Sequence, residues 1–145
     1  MGAGNLVGQF HIQDFLDKIA DLDLDPRIQS WYTVDVTAML GETKIIHHEI
    51  NDETGCSLIF LSKSIIHFCP NSRKMQHYPK HLVHCFVDHN DNIQQSTENR
   101  SVYSAEIFSI SPSNEHLNWA VHTNCETDIP VLQAKTARWI KYLNT

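Results

Sequence analysis

The stretch SLIFLSKSIIHFC, residues 57–69, decides how this chain is read. Leu58 to Leu61 and Ile65–Ile66 make an almost continuous apolar run, rich in β-branched and aromatic residues. It reads as one long strand buried on both faces. The segment before it, NDETG at 51–55, concentrates turn formers. TKIIHHEIN at 43–51 is again strand-like. Two strand runs joined by so short a polar segment predict an antiparallel hairpin.

Further upstream, SWYTVDVTAML at 30–40 sets Trp31, Thr33, Asp35 and Thr37 against Tyr32, Val34, Val36 and Ala38. That alternation predicts a half-buried strand, broken at Gly41. FHIQDFLDKIADLDL at 10–24 has helical apolar spacing up to Leu22, and Asp25-Pro26 ends the helix.

Downstream, PNSRKMQHYPKHL at 70–82 holds two prolines and reads as a loop. VHCFVDH at 83–89 predicts a strand. NDNIQQSTENR at 90–100 is polar and reads as a linker or mobile loop. SVYSAEIFSIS at 101–111 alternates like a strand. PVLQAKTARWIKYLN at 130–144 has helical spacing, with Pro130 suited to a first turn and Thr127 or Asp128 available as a cap. Hairpin-connected strands with a few helices give an α+β class with an antiparallel sheet.

With 145 residues the chain is of ordinary domain size. Acids outnumber bases 17 to 11, a formal charge of −6, which disfavours binding to duplex nucleic acid or an anionic membrane surface. No run is long and apolar enough to span a bilayer. MGAGNLVGQF carries neither a basic nor an apolar leader region, and Leu6 departs from the myristoylation pattern. A cytoplasmic location is the expectation. Cys56, Cys69, Cys85 and Cys125 then read as reduced thiols, and the Asn99–Ser101 sequon carries little weight.

The segments IQDFLDKIADLDLDP, WYTVDVTAMLGET, KIIHHEINDETGCSLIFLSKSIIHFC and PNSRKMQHYPKHL, from about His11 to Leu82, resemble the hotdog-fold acyl-CoA and acyl-ACP thioesterases. A second resemblance begins at about Val102. AEIFSISPSNEHLNWAVHTNCETDIP is similar to the strand and His-x-Asn segment that open a hotdog unit, with His122-Thr123-Asn124 at the motif. The resemblance implies a hotdog-like antiparallel β-sheet wrapped around a central helix. It implies a single hotdog-like domain over 1–145, with 1–90 as the body of one unit, 91–101 as a linker and 102–145 as the start of a second. This order is similar to a fragment or short form of a tandem double-hotdog protein.

The implied activity is hydrolysis of acyl thioesters, with acyl-CoA or acyl-ACP as substrate, no cofactor, and a homodimer or higher oligomer. His122 would be the general base, Asn124 and Asn118 would position the carbonyl, and Glu115 would be a second acid/base. Trp119 and Thr123 would bind substrate. A helix N-terminus would stabilise the oxyanion. Two departures give the alternative of an inactive acyl-binding or assembly subunit. Leu117, Asn118 and Trp119 stand where the family often has an acid, and CETDIP separates the motif from the helix.

Other chemistries are weaker. His77, His81, His84, Cys85 and His89 are numerous, but a strand over 83–89 turns His84 and Cys85 to opposite faces, which argues against zinc. In the same way His47 and Glu49 share a face that His48 does not. Cys125 with His122 lacks a third, orienting group. No metal ligand is assigned from the sequence.

Overall fold

The computed structural model describes the backbone of residues 3–95, 98–110 and 115–145, and the side chains of 12–89, 102–110 and 115–145. The N-terminal Met-Gly, residues 96–97 of the expected linker and residues 111–114 of the expected site segment lie outside the described residues. The fold is mixed, with helices and two antiparallel sheets. The chain comprises two compact units, Met1–Pro79 and Lys80–Thr145. The strands of the described residues fall into two sheets, one of four strands and one of three.

In the first unit, α1 (Ala3–Asp21) is followed by a helical run composed of α2 (Pro26–Ser30), a π-helical turn (Trp31–Val36) and α3 (Thr37–Leu40). Asp25 caps α2: its carboxylate accepts from the Arg27 N–H at 2.8 Å. Gly41, with φ +56°, ends α3 in a conformation that costs glycine little.

Residues 31–40 correct the sequence expectation of a strand. The alternation would bury Val34, yet Val34 is 60% exposed. Trp31, Tyr32, Val36 and Leu40 are the buried residues. They pack with Phe15 and Ile19 of α1 in one core. Burial of these residues outweighs the local β preference, which is weak against tertiary packing.

The first sheet runs in the order β1-β2-β3-β4: β1 (His47–Ile50), β2 (Ser57–Phe60), β3 (Ser64–Cys69) and β4 (Lys74–Pro79). The expected long strand over 57–69 is therefore two strands. The chain reverses at Leu61–Lys63, where the Leu61 N–H donates to the Ser64 carbonyl at 2.9 Å. β4 occupies part of the expected loop at 70–82. Ile59, Ile66 and Phe68 face the helices. Leu58, Phe60, Ile65 and Tyr78, at alternate positions, are buried on the other face.

In the second unit, β5 (Val83–Gln95), β6 (Glu98–Ser109) and β7 (Leu117–Thr123) form a three-stranded sheet, and α4 (Ile129–Leu143) packs against β5 and β6. The expected linker at 91–101 is largely paired strand, with a register shift between Asn90 and Ile93. Leu132, Thr136 and Trp139 are the buried positions of α4, at helical spacing. The α4 carbonyl of Tyr142 accepts a hydrogen bond from Lys80 Nζ at 2.9 Å.

Candidate metal centre

The β2–β3 hairpin sets the geometry of a cluster of cysteine and histidine side chains. Its register pairs Ser57 with Phe68 and Leu58 with His67. One step further, the same ladder brings Cys56 beside Cys69. His67 and Cys69 are two apart on β3 and so project from one face. The result is a convergence of Cys56, His67 and Cys69, whose ligand atoms all lie within 4.8 Å of one another. It is the one such cluster of His, Cys, Asp and Glu among the described residues.

Each member is held in place. Cys56 follows a tight turn closed by Asn51, whose side-chain carbonyl accepts from the Glu53 and Thr54 N–H groups at 2.9 and 3.1 Å. Gly55 takes φ +75° in that turn. The Cys56 carbonyl accepts from the Asn51 N–H at 2.8 Å, and the Cys56 N–H donates to Thr54 Oγ1 at 3.2 Å. The Tyr32 hydroxyl reaches in from the helical run. It donates to the Gly55 carbonyl and lies 3.0 Å from Ser57 Oγ, so it grips both neighbours of Cys56. Burial raises the Tyr32 pKa, which keeps this hydroxyl protonated.

Cys69 Sγ lies 3.7 Å from Nδ1 and 3.7 Å from Nε2 of His67. A tetrahedral zinc with ordinary Zn–S and Zn–N bonds separates its sulfur and nitrogen ligands by about 3.6 Å and two sulfurs by about 3.8 Å. The Cys69–His67 spacing matches the sulfur–nitrogen separation of such a shell, and the other separations are at most 4.8 Å. Burial lowers the His67 pKa and favours the neutral ring, the form that ligates metal. All three residues are half-buried and all four cysteines are thiols. Two sulfurs and one imidazole are a soft donor set of the kind that selects zinc.

The residues expected to form a thioesterase site lie elsewhere, on or beside β7. Asn118 and His122 are exposed and share one face of the strand. Four residues apart, they stand roughly 13 Å from each other along it. Trp119, 8% exposed, projects from the opposite face. Glu115 is exposed and precedes the strand. Thr123 Oγ1 donates to Asp128 Oδ2 at 2.9 Å and accepts from the Cys125 N–H at 3.1 Å, so it serves the turn before α4. Asn124 is exposed in that turn. Between His122 and the start of α4 stands the 3-10 turn Glu126–Asp128.

The other histidines follow the strand reading. His47 pairs with Glu49 on one face of β1, while His48 packs edge-on against Phe15 at 5.5 Å between centroids. On β5, burial pushes the Cys85 thiol up to about 12. The sequence hid the Cys–His cluster because 57–69 read as one strand. An His-x-Cys step with a cysteine placed to pair across a hairpin was the available signal, and the missing turn residues concealed the hairpin.

Comparison with protein-family models, with curated proteins and with solved structures found no match to this chain. No helix among the described residues is long and apolar enough to cross a membrane.

Proposed function

We propose that this protein binds a zinc ion through Cys56, His67 and Cys69, and that the ion staples the end of the β2–β3 hairpin. The observation that carries this reading is the convergence of three side chains, two from β3 and one from the residue that leads into β2. Three protein ligands leave the fourth tetrahedral position to water or another small ligand. On binding, each thiol gives up its proton and the thiolates take the charge of the ion.

The test is metal analysis of the full chain, purified reduced and reconstituted with zinc, together with cobalt substitution. One zinc per chain and a thiolate-to-cobalt absorption band are expected. Cys56→Ser, Cys69→Ser and His67→Ala should each weaken binding, and Cys85→Ser should not. Zinc retained unchanged in all three ligand variants would overturn the reading.

Acyl-thioester hydrolysis is a second reading. Its support is the segment resemblance to hotdog thioesterases, with the helix α4 lying against an antiparallel sheet. His122 would act as base and Asn118 or Asn124 would orient the carbonyl. The wrapped hotdog sheet and the paired oligomer belong to this reading. A screen across acyl-CoA lengths, with His122→Ala beside wild type, tests it. Equal rates remove His122 from the reaction. Acyl-CoA binding without turnover would leave the inactive acyl-binding alternative.

A further inference from the structure

Cys56 and Cys69 are more than two ligands of one ion: they stand one step beyond the last pair of an antiparallel ladder. The pair extends the register Ser57↔Phe68 by one step. The Cys56 carbonyl is engaged by Asn51, on the β1 side, and the Cys56 N–H by Thr54. Neither group is turned to Cys69, so the two residues form a non-hydrogen-bonded pair. Such pairs have the closer Cα separation, about 4.5 Å, within the span that a disulfide bridges. The sulfurs already lie within 4.8 Å of each other.

We propose that Cys56 and Cys69 close into a reversible cross-strand disulfide that expels the metal, making the centre a thiol-redox switch. The inference rests on the zinc reading. The oxidant is a low-molecular-weight disulfide. One cysteine thiolate attacks it, forms a mixed disulfide and releases one small thiolate. The second cysteine attacks the mixed disulfide and releases the other. Two protein thiolates are oxidised to one S–S bond, the small disulfide is reduced to two thiolates, and the zinc ion leaves with them. His67 alone then remains as a ligand. A dithiol reductant reverses the steps.

The test uses the zinc-loaded full chain carrying Cys125→Ser, which removes the one exposed cysteine. Oxidised glutathione is added, and zinc release is followed with a chromogenic chelator beside intact-mass and peptide mapping. Expected is release of one zinc per chain, loss of two hydrogens without a glutathione adduct, and a peptide linking Cys56 to Cys69. Dithiothreitol should restore zinc binding. Zinc that stays bound, or glutathione adducts on separate cysteines, would overturn the switch and leave the zinc reading standing. A Cys56–Cys69 link in a chain that never takes up zinc would overturn the zinc reading and the switch together.

Discussion

The Tyr32 hydroxyl lies 3.0 Å from Ser57 Oγ, and through it the helical run of the first unit holds the strand that begins beside Cys56. The same hydroxyl donates to the Gly55 carbonyl. A residue read from sequence as part of a strand is therefore the support of the metal centre. Its ring packs edge-on against Phe15, Trp31 and Phe68, which fixes where the hydroxyl points.

Tyr32→Phe keeps the ring and removes both hydrogen bonds. Leaving a buried carbonyl and hydroxyl short of a partner is expected to cost about 1–3 kcal/mol in urea unfolding. Loosening the turn before Cys56 should also lower zinc affinity by about 10–100-fold, as losses of supporting groups around metal ligands do. Unchanged affinity in the folded variant would show that Tyr32 does not position the centre.

Zinc should stabilise the folded chain by mass action. At about 100 times its Kd the expected gain is about 2.7 kcal/mol, reversed by a chelator. Thermal melts with and without chelator check this. Cys56→Ser should melt at the same temperature in both.

His48 makes stability depend on pH. Burial against Phe15, with neighbouring His47 adding to it, holds its pKa below the ordinary 6.5. The unfolded chain therefore takes up the proton first as pH falls. The stability gained by packing the neutral ring is complete above about pH 6.5 and is lost below it, levelling only beneath the folded-state pKa. Urea midpoints of the metal-free protein should fall across that window, and His48→Gln should flatten the fall. Burial lowers the His67 pKa in the same direction, so some slope should persist. A slope unaltered by His48→Gln would remove His48 as a cause.

Gly55→Ala places a side chain where φ is +75°, with Ile28 and Leu24 atoms 3.4 Å and Pro70 3.5 Å from the new carbon. The space is ordinary van der Waals contact, so the conformation supplies the cost, about 1 kcal/mol or more. Denaturant unfolding measures it, and a neutral result would mean that the turn relaxes.

Lys80→Ala removes the 2.9 Å bond to the Tyr142 carbonyl near the end of α4. A loss of about 1 kcal/mol is expected. Hydrogen exchange at the last turn of α4 should rise in the variant. Unaltered exchange there would show that α4 does not depend on this bond.

Legibility of the sequence followed the strength of local signals. Ile12, Phe15, Leu16 and Ile19 marked α1 by their spacing, and Pro130 with Leu132 marked α4, whereas Val131 and Ile140 are exposed and Trp139 is buried. The reversal inside 57–69 was silent because Leu61-Ser62-Lys63 contains no Gly, Asn or Pro. β4 was masked by Pro70 and Pro79, although Pro79 is only the terminal residue of the strand. The metal cluster depended on that hidden reversal, since Cys56 and Cys69 meet only once the register is known. At β7 the difficulty was the opposite. The segment was rich in chemically suggestive side chains, and strand alternation sent Trp119 one way and His122 the other.

Because all three ligands come from one hairpin and the turn before it, their assembly does not wait for distant parts of the chain. Contacts this local form early, since little loop-closure entropy opposes them. During synthesis the hairpin emerges as a unit, and an ion captured there would fix its register before β4 is added to the sheet.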